Sequence, residues 1–344
     1  MPKIKLSMDD EIRILGLMLA CAIVLMSILS PDHFLRIETF QGMAYQLPEL
    51  GLLSLAMMIS MVTGGINLSI IATANISAIT AALILKAWIA PDIPASTDIW
   101  VVLFAVMAAI GVSMLVGLVN GLLISVINIS PIIATLGTMK LLQGLAFIVT
   151  RGYVISGMPD HIRYIGNGKL AGIPVPLIIF IVFAFLMAAY LRHTATGFTI
   201  FLFGSNPIAT YFSGINNKRV IIETYVISGL YCGLAAMIMM SRFNSAKAGY
   251  GESYLLVTIL AAVLGGVKSE GGFGQVKGLV LSLVILQIMA NGLNLLGVSS
   301  FLTIAFWGLI MIGVMIIHYV LEKRKMFQLS RGKSKIEGLK TEGI

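Results

Sequence analysis

Seven uncharged polar side chains stand within or beside long apolar runs: Asn67, Ser69, Asn75, Asn120, Gln287, Asn291 and Asn294. Each offers amide or hydroxyl donors and acceptors without a charge. In an apolar surrounding such groups can bond one helix to another. They can also line a route for a polyhydroxylated solute, matching its hydroxyls without the penalty of burying an ion. Spacing alone leaves both readings open. Catalytic chemistry finds less support. His33, His161, His193 and His318 are scattered near the ends of apolar runs without metal-ligand spacing. No Ser/His/Asp or Cys/His set is placed for nucleophilic catalysis, and no GxxxxGK[ST] loop offers to cradle ATP phosphates. The chain reads as a non-enzyme that binds no cofactor of its own.

The elements that must position these residues are membrane helices. Of 344 residues 58% are hydrophobic and 11% charged, and the mean hydropathy is +0.98; a soluble globular chain carries about 45–50% apolar and 25% charged residues. Spans of about 20 apolar residues fall near 13–30, 47–64, 67–89, 99–127, 131–150, 173–191, 220–241, 254–267, 276–292 and 301–321. The expected fold is therefore all-α and polytopic, with about ten transmembrane helices. The first run, Ile14–Ser30, has no small-residue cleavage site after it and reads as a retained span. Cys21 and Cys232, each within an apolar run, read as small buried hydrophobes.

Charge sets the orientation. With the N-terminus inside, the inner segments hold fifteen Lys and Arg and the outer segments seven, which places both termini in the cytoplasm. Seven of the inner cations lie in the tail: Lys323, Arg324, Lys325, Arg331, Lys333, Lys335 and Lys340. The net charge of +8 thus points to anionic lipid at the cytoplasmic surface and away from nucleic acid. The resulting layout is a cytoplasmic segment 1–12, a transmembrane domain 13–322 with a cytoplasmic loop 192–219, and a basic cytoplasmic tail 323–344. Lys140 alone lies inside a span, roughly 12 Å from its cytoplasmic end at 1.5 Å per residue. A central lysine costs about 2.5–3.5 kcal/mol on the insertion scale, so it should face the bundle or snorkel.

Two features interrupt the apolar pattern. VTGGINLS (62–69) and LGGVKSEGG (264–272) each place a glycine pair after an apolar run, and NGL recurs at 120–122 and 291–293. Gly-broken spans at corresponding places in two halves point to a transport site, and here they mark a weak two-half repeat. The second feature is FGSNPIATYFSGINNKRV, residues 203–220, within the cytoplasmic loop. Asn206 suits an N-cap, Pro207 the first helical position and Gly214 the stop. Between them Ile208, Tyr211, Phe212 and Ile215 form one apolar stripe. Two turns are too few to stand alone in water. The stripe must pack on the chain's own spans, lie in the lipid interface, or enter a groove on a partner.

The motifs in order resemble the permease subunits of bacterial sugar-type ABC importers, the ribose, xylose and autoinducer-2 group. They are TGGINLS, GLVNGLLIS, ISPIIATLGTMKLLQGLAFIVTRG, GSNPIATYFSGINNKRV, YVISGLYCGLAAMI, ILAAVLGGVKSEGGFGQVKG and NGLNLLGVSS, and together they span nearly the whole chain. The resemblance implies that Gly204, Ser205, Asn206, Pro207, Ile208, Ala209, Tyr211, Phe212, Ser213, Gly214 and Ile215 form the coupling helix that seats on separate ATPase subunits, which would bind the ATP. It also implies a second permease subunit, identical or homologous, and an extracytoplasmic solute-binding protein meeting the outer loops near 151–172 and 242–252. The chain would reside in the bacterial inner membrane. It departs from the usual GGIDLS at Asn67, and from the family pattern around Lys140 and Gln143, where a small residue and a nearby Arg are common. GIPVPLIIF, FLFGSNP and SRFNSAKAGYG lean towards the autoinducer-2 type. A permease for branched-chain amino acids or nucleosides would keep this architecture. An ion-coupled carrier would instead require acids or histidines in mid-span, whereas Glu49, Glu223 and Glu252 read as lying near span ends.

Overall fold

The computed structural model describes residues 8–88, 95–299, 301–313 and 316. The first unit contains α1 (Met8–Leu29), α2 (Pro31–Phe34), α3 (Ile37–Val62), α4 (Ile70–Trp88), α5 (Ala95–Ser125) and α6 (Pro131–Thr150). There follow β1 (Ile155–Ser156), α7 (Asp160–Asn167), β2 (Lys169–Leu170), β3 (Ile173–Pro174), α8 (Val175–His193), α9 (Ala195–Ser205) and α10 (Pro207–Phe212). The unit closes with α11 (Asn217–Phe243), β4 (Ser245–Ala246), α12 (Tyr254–Leu264) and α13 (Val276–Leu295). A second unit begins at Ser299 and contributes α14 (Phe301–Gly313).

Eight of these helices are long and apolar enough to cross a membrane, and α9, α12 and α14 are shorter apolar helices. The fold is an all-α polytopic membrane protein, as the composition requires. Two of the ten expected spans, 254–267 and 301–321, correspond to the short helices α12 and α14; beyond α14 the latter span, apart from residue 316, and the tail 323–344 lie outside the described residues. The expected span 47–64 begins ten residues earlier, at Ile37, because the helix runs straight past Pro48. That proline lacks the N–H for its helix bond, but it lies in a stretch, Leu47–Val62, in which every residue is buried, so packing on all sides holds it helical. A helix apolar all round belongs in the interior, and α3 is the central element of the bundle. The expected span 67–89 conversely starts late: Asn67–Ser69 are not helical, and α4 begins at Ile70.

The largest helix pairing joins α5 and α11 through glycines on both sides. A Cβ at Gly117 or Gly121 would strike the backbone of Tyr225 or Ile222, and one at Gly229 or Gly233 would strike Ser113 or Ile110. Two GxxxG faces thus let the backbones touch, which is how helices associate where water offers no hydrophobic drive between them. Cys232 is buried in this region, but Cys21 is exposed. It lies off the α1 face that packs Leu15, Ala22 and Met26 against Ile285 and Ile288 of α13.

The two glycine pairs end α3 and α12 by the same device. Gly65 N–H bonds to Ser60 O and Gly64 N–H to Met61 O; Val267 N–H bonds to Ala262 O and Gly266 N–H to Val263 O. Each is a Schellman closure around a glycine at positive φ, +78° at Gly64 and +83° at Gly266. This common ending is the physical content of the two-half repeat seen in the sequence.

At the end of the bundle that the charge pattern assigns to the outside, the loops near 151–172 and 242–252 come together. β1 pairs antiparallel with β4, with Ile155 opposite Ala246. Met158 N–H donates to Asn244 Oδ1 at 2.9 Å and Asn167 Nδ2 to Ser241 O at 3.0 Å. These four two-residue strands and α7 were not legible in the sequence, since none carries a run long enough to show a period.

Candidate functional site

At the opposite end, residues 192–219 hold two helices where the sequence marked one. The first, α9, begins with Thr194 accepting from Gly197 N–H and ends at Ser205. The second, α10, follows the expected signals: Asn206 Oδ1 accepts from Ile208 N–H at 3.1 Å and Ala209 N–H at 3.0 Å, Pro207 opens the helix, and Gly214 closes it at φ +78°. Asn217 Nδ2 bonds back to Pro207 O at 2.8 Å, fastening α10 to the start of α11. The apolar stripe does not pack on the chain's own spans. Ile208, Tyr211 and Phe212 are 70%, 69% and 81% exposed, with the two rings edge-to-face, and only Ile215 is half-buried. Such an unshielded aromatic cluster on so short a helix marks an interaction surface.

Three chain breaks meet just behind this helix. Gly272 N–H donates to Val62 O at 2.8 Å, joining the loop after α12 to the end of α3. Gly204, at the end of α9, fits between them: a Cβ there would fall on Val62 O and Gly272 N. A Cβ on Gly271 would meet Gly64 N and Gly204 O. Only glycine permits this approach of three backbones. Ser205 lies against Gly272, so the residue preceding the cap of α10 belongs to the same junction.

Among the seven polar residues singled out, Asn67, Ser69 and Asn120 come together. After α3 the chain turns back into the bundle, and Asn67 Nδ2 donates to Ser228 Oγ at 3.0 Å, which donates to Ala56 O at 2.8 Å. Asn67 Oδ1 accepts from Ser69 N–H at 3.1 Å and from Ser69 Oγ at 2.7 Å. Asn120 Nδ2 donates to Ser69 Oγ at 2.9 Å, and Thr138 Oγ1 donates to Asn120 Oδ1 at 2.7 Å. Thr135 accepts from Leu68 N–H and donates to backbone carbonyls, that of Ile66 among them. Non-helical backbone inside a membrane must be satisfied by protein groups, and this network performs that work for residues 66–69. All three residues are buried with their hydrogen bonds turned inward, so the network binds α3, α5, α6 and α11 to the break. Thr135, Thr138 and Ser228 escaped the sequence reading because a lone hydroxyl in a helix usually bonds its own preceding turn.

The other four candidates lie apart from this network. Asn75 is buried and donates to Tyr250 O at 3.0 Å, so the segment after β4 reaches inward to α4. Gln287 donates to Gln46 Oε1 at 3.0 Å across α13 and α3. Asn291 is half-buried and Asn294 exposed on α13. Beside the Gly65 break lies a pocket of about 280 Å³ whose lining includes Thr63, Asn128, Ser130, Phe203 and Tyr225, with no charged side chain.

Two charged positions differ from expectation. Glu49 lies in the middle of α3, fully buried, where the sequence placed it near a span end. Its Oε1 accepts from Arg242 Nη2 and from Tyr254 Oη, both at 2.7 Å, tying α3 to α11 and α12. The signal available was an acid flanked by apolar residues, LPELGLL, with an arginine ending another span. Lys140 faces outward from α6, and its ammonium reaches Gln143 Oε1 at 3.3 Å.

The molecule is a many-spanning bundle with a non-helical break between α3 and α4 and a short, exposed apolar helix at one end. The chain belongs to the family described as the permease component of branched-chain amino acid transport systems, whose model matches residues 39–318. It is 34% identical to the ribose import permease protein RbsC of Bacillus subtilis over 305 residues, 88% of this chain and 89% of that protein. Against RbsC of Escherichia coli K12 the identity is 33%, over 85% and 88% of the two chains. The autoinducer 2 import system permease protein LsrD of Photorhabdus temperata is 30% identical over 76% of this chain and 78% of its own. No solved structure matches.

Proposed function

We propose that this chain is the transmembrane subunit of an ATP-driven importer for a sugar or sugar-like solute, and that α10 is where a separate ATPase subunit seats. The exposed Ile208, Tyr211 and Phe212, carried on a helix fastened to the breaks of α3 and α12, are the observation that supports this reading. A helix presenting an apolar face to a groove is a recurrent docking mode. Displacing it would move the ends of α3 and α9 and the 265–275 loop together, a rigid shift of packed elements. A second permease subunit would enclose the path, and an extracytoplasmic binding protein would meet the surface built by the loops near 151–172 and 242–252. Neutral groups, Asn291, Asn294 and the pocket residues Asn128 and Ser130, suit an uncharged polyol. In this reading the chain has no ATPase site of its own.

The family description names branched-chain amino acids, but the similar proteins are ribose and autoinducer-2 permeases, and these favour a sugar. Tagged chain, gently solubilised from native cells, should carry an ATPase subunit through purification. A Tyr211→Ser/Phe212→Ser/Ile215→Ser variant should remain folded and lose it. An ATPase retained by that variant would remove α10 as its seat.

A further inference from the structure

Lys140 is a mid-span charge to which neither α10 nor the buried ion pair gives a role. It is the tenth residue of the twenty-residue helix α6, about 14 Å from either end at 1.5 Å per residue. A stem of four methylenes does not bridge that distance to the headgroups. Nor does the side chain turn into the bundle. The packed face of α6 is Ala134, Thr135, Leu142, Ala146 and Thr150, whereas Lys140 shares the opposite face with Ile133, Gly137, Gly144 and Ile148, all exposed. Among the described residues the ammonium meets no carboxylate; it donates one hydrogen bond, to the neutral Gln143 Oε1, with two of its three N–H groups left over. A mid-span ammonium that neither reaches the surface nor finds an acid needs water.

We propose that this face of α6 lines a water-filled section of the solute route, and that Lys140 makes the section electropositive, so that it turns away cations while admitting neutral solutes and those with an anionic oxygen group. The inference rests on the permease reading, in which a solute route holding water crosses that depth. A fixed charge in a narrow low-dielectric passage concentrates counter-ions and speeds their arrival, and the neighbouring Gly137 and Gly144, where a Cβ would meet nothing within 4 Å, leave the ammonium uncovered.

The test needs no knowledge of the solute. In a Cys21→Ala/Cys232→Ala background, Gly144→Cys places a thiol one turn from Lys140 in space that accepts it. Membranes carrying the assembled complex are treated with anionic sulfonatoethyl and cationic trimethylammonioethyl methanethiosulfonate. Both reagents should react, with the anionic one favoured relative to a free thiol on the order of tenfold, and Lys140→Gln should abolish the preference. Labelling by neither reagent, or a preference unchanged by Lys140→Gln, would overturn the proposal. Gly137→Cys repeats the measurement if Gly144→Cys fails to assemble. Retention of the ATPase by each variant reports separately on the permease reading, so a failure of one is not mistaken for a failure of the other.

Discussion

Arg242 and Glu49, 193 residues apart in sequence, form an ion pair of 2.7 Å inside the bundle, with side chains 15% and 0% exposed. Removing one partner of a buried pair strands the other charge and costs about 3–5 kcal/mol, whereas replacing both is often neutral. Arg242→Met should therefore lower the melting temperature of the purified protein sharply, and Arg242→Met/Glu49→Leu should recover most of the loss. Equal melting temperatures for the single and double variants would show that the pair is not coupled.

Gly117 separates α5 from the Tyr225 carbonyl with no side chain between them. Gly117→Val forces the two backbones apart, and overpacking of this kind costs typically 1–3 kcal/mol. The variant should give less monodisperse protein by size-exclusion chromatography, whereas Gly111→Val, where a Cβ meets nothing within 4 Å, should behave as the parent does.

Thr138→Val keeps the shape of the side chain and removes the proton that Asn120 Oδ1 accepts. An acceptor left buried without a partner costs about 1–3 kcal/mol. Asn120→Leu removes in addition the bond to Ser69. Thermal unfolding should rank parent above Thr138→Val above Asn120→Leu. If both variants instead unfold like the parent and change uptake, these groups would belong to the solute route and not to the scaffold.

Asn206→Ala leaves the N–H groups of Ile208 and Ala209 without the side-chain acceptor. Loss of an N-cap costs about 0.5–2 kcal/mol, and a six-residue helix has little else to hold it. ATP hydrolysis by the complex should become less responsive to solute-loaded binding protein, while global stability changes little. Asn206→Asp, which keeps the acceptor, should restore the response.

Much of this was legible before the structure, for identifiable reasons. Long apolar runs report spans directly, and the signals Asn206, Pro207 and Gly214 sit at fixed offsets from the helix they bound, so α10 was placed within a residue. The stripe from Ile208 to Ile215 was found, but its exposure was not, since periodicity names a face without saying what covers it. Hydropathy missed α9, whose eleven residues are too few to span, and it merged Asn67–Ser69 into a helix because a three-residue break is averaged away in a window of about 19 residues. Glu49 was misplaced because the start of α3 was set at Leu47, where continuous burial begins; the helix reaches back through ten largely exposed or half-buried residues, nearly three turns, that look like loop.

The contact of Gly204 with Val62 and Gly272 bears on how such permeases could be recombined. Segments 62–65, 204–205 and 271–272 are far apart in sequence yet share one glycine-lined joint. A chimera that imports only the loop 192–219 from a relative, to change which ATPase it recruits, would bring one third of a fitted part. The exchange should succeed only when the sequences at all three places come from the same parent, so the unit of inheritance at this end of the molecule is the joint and not the loop.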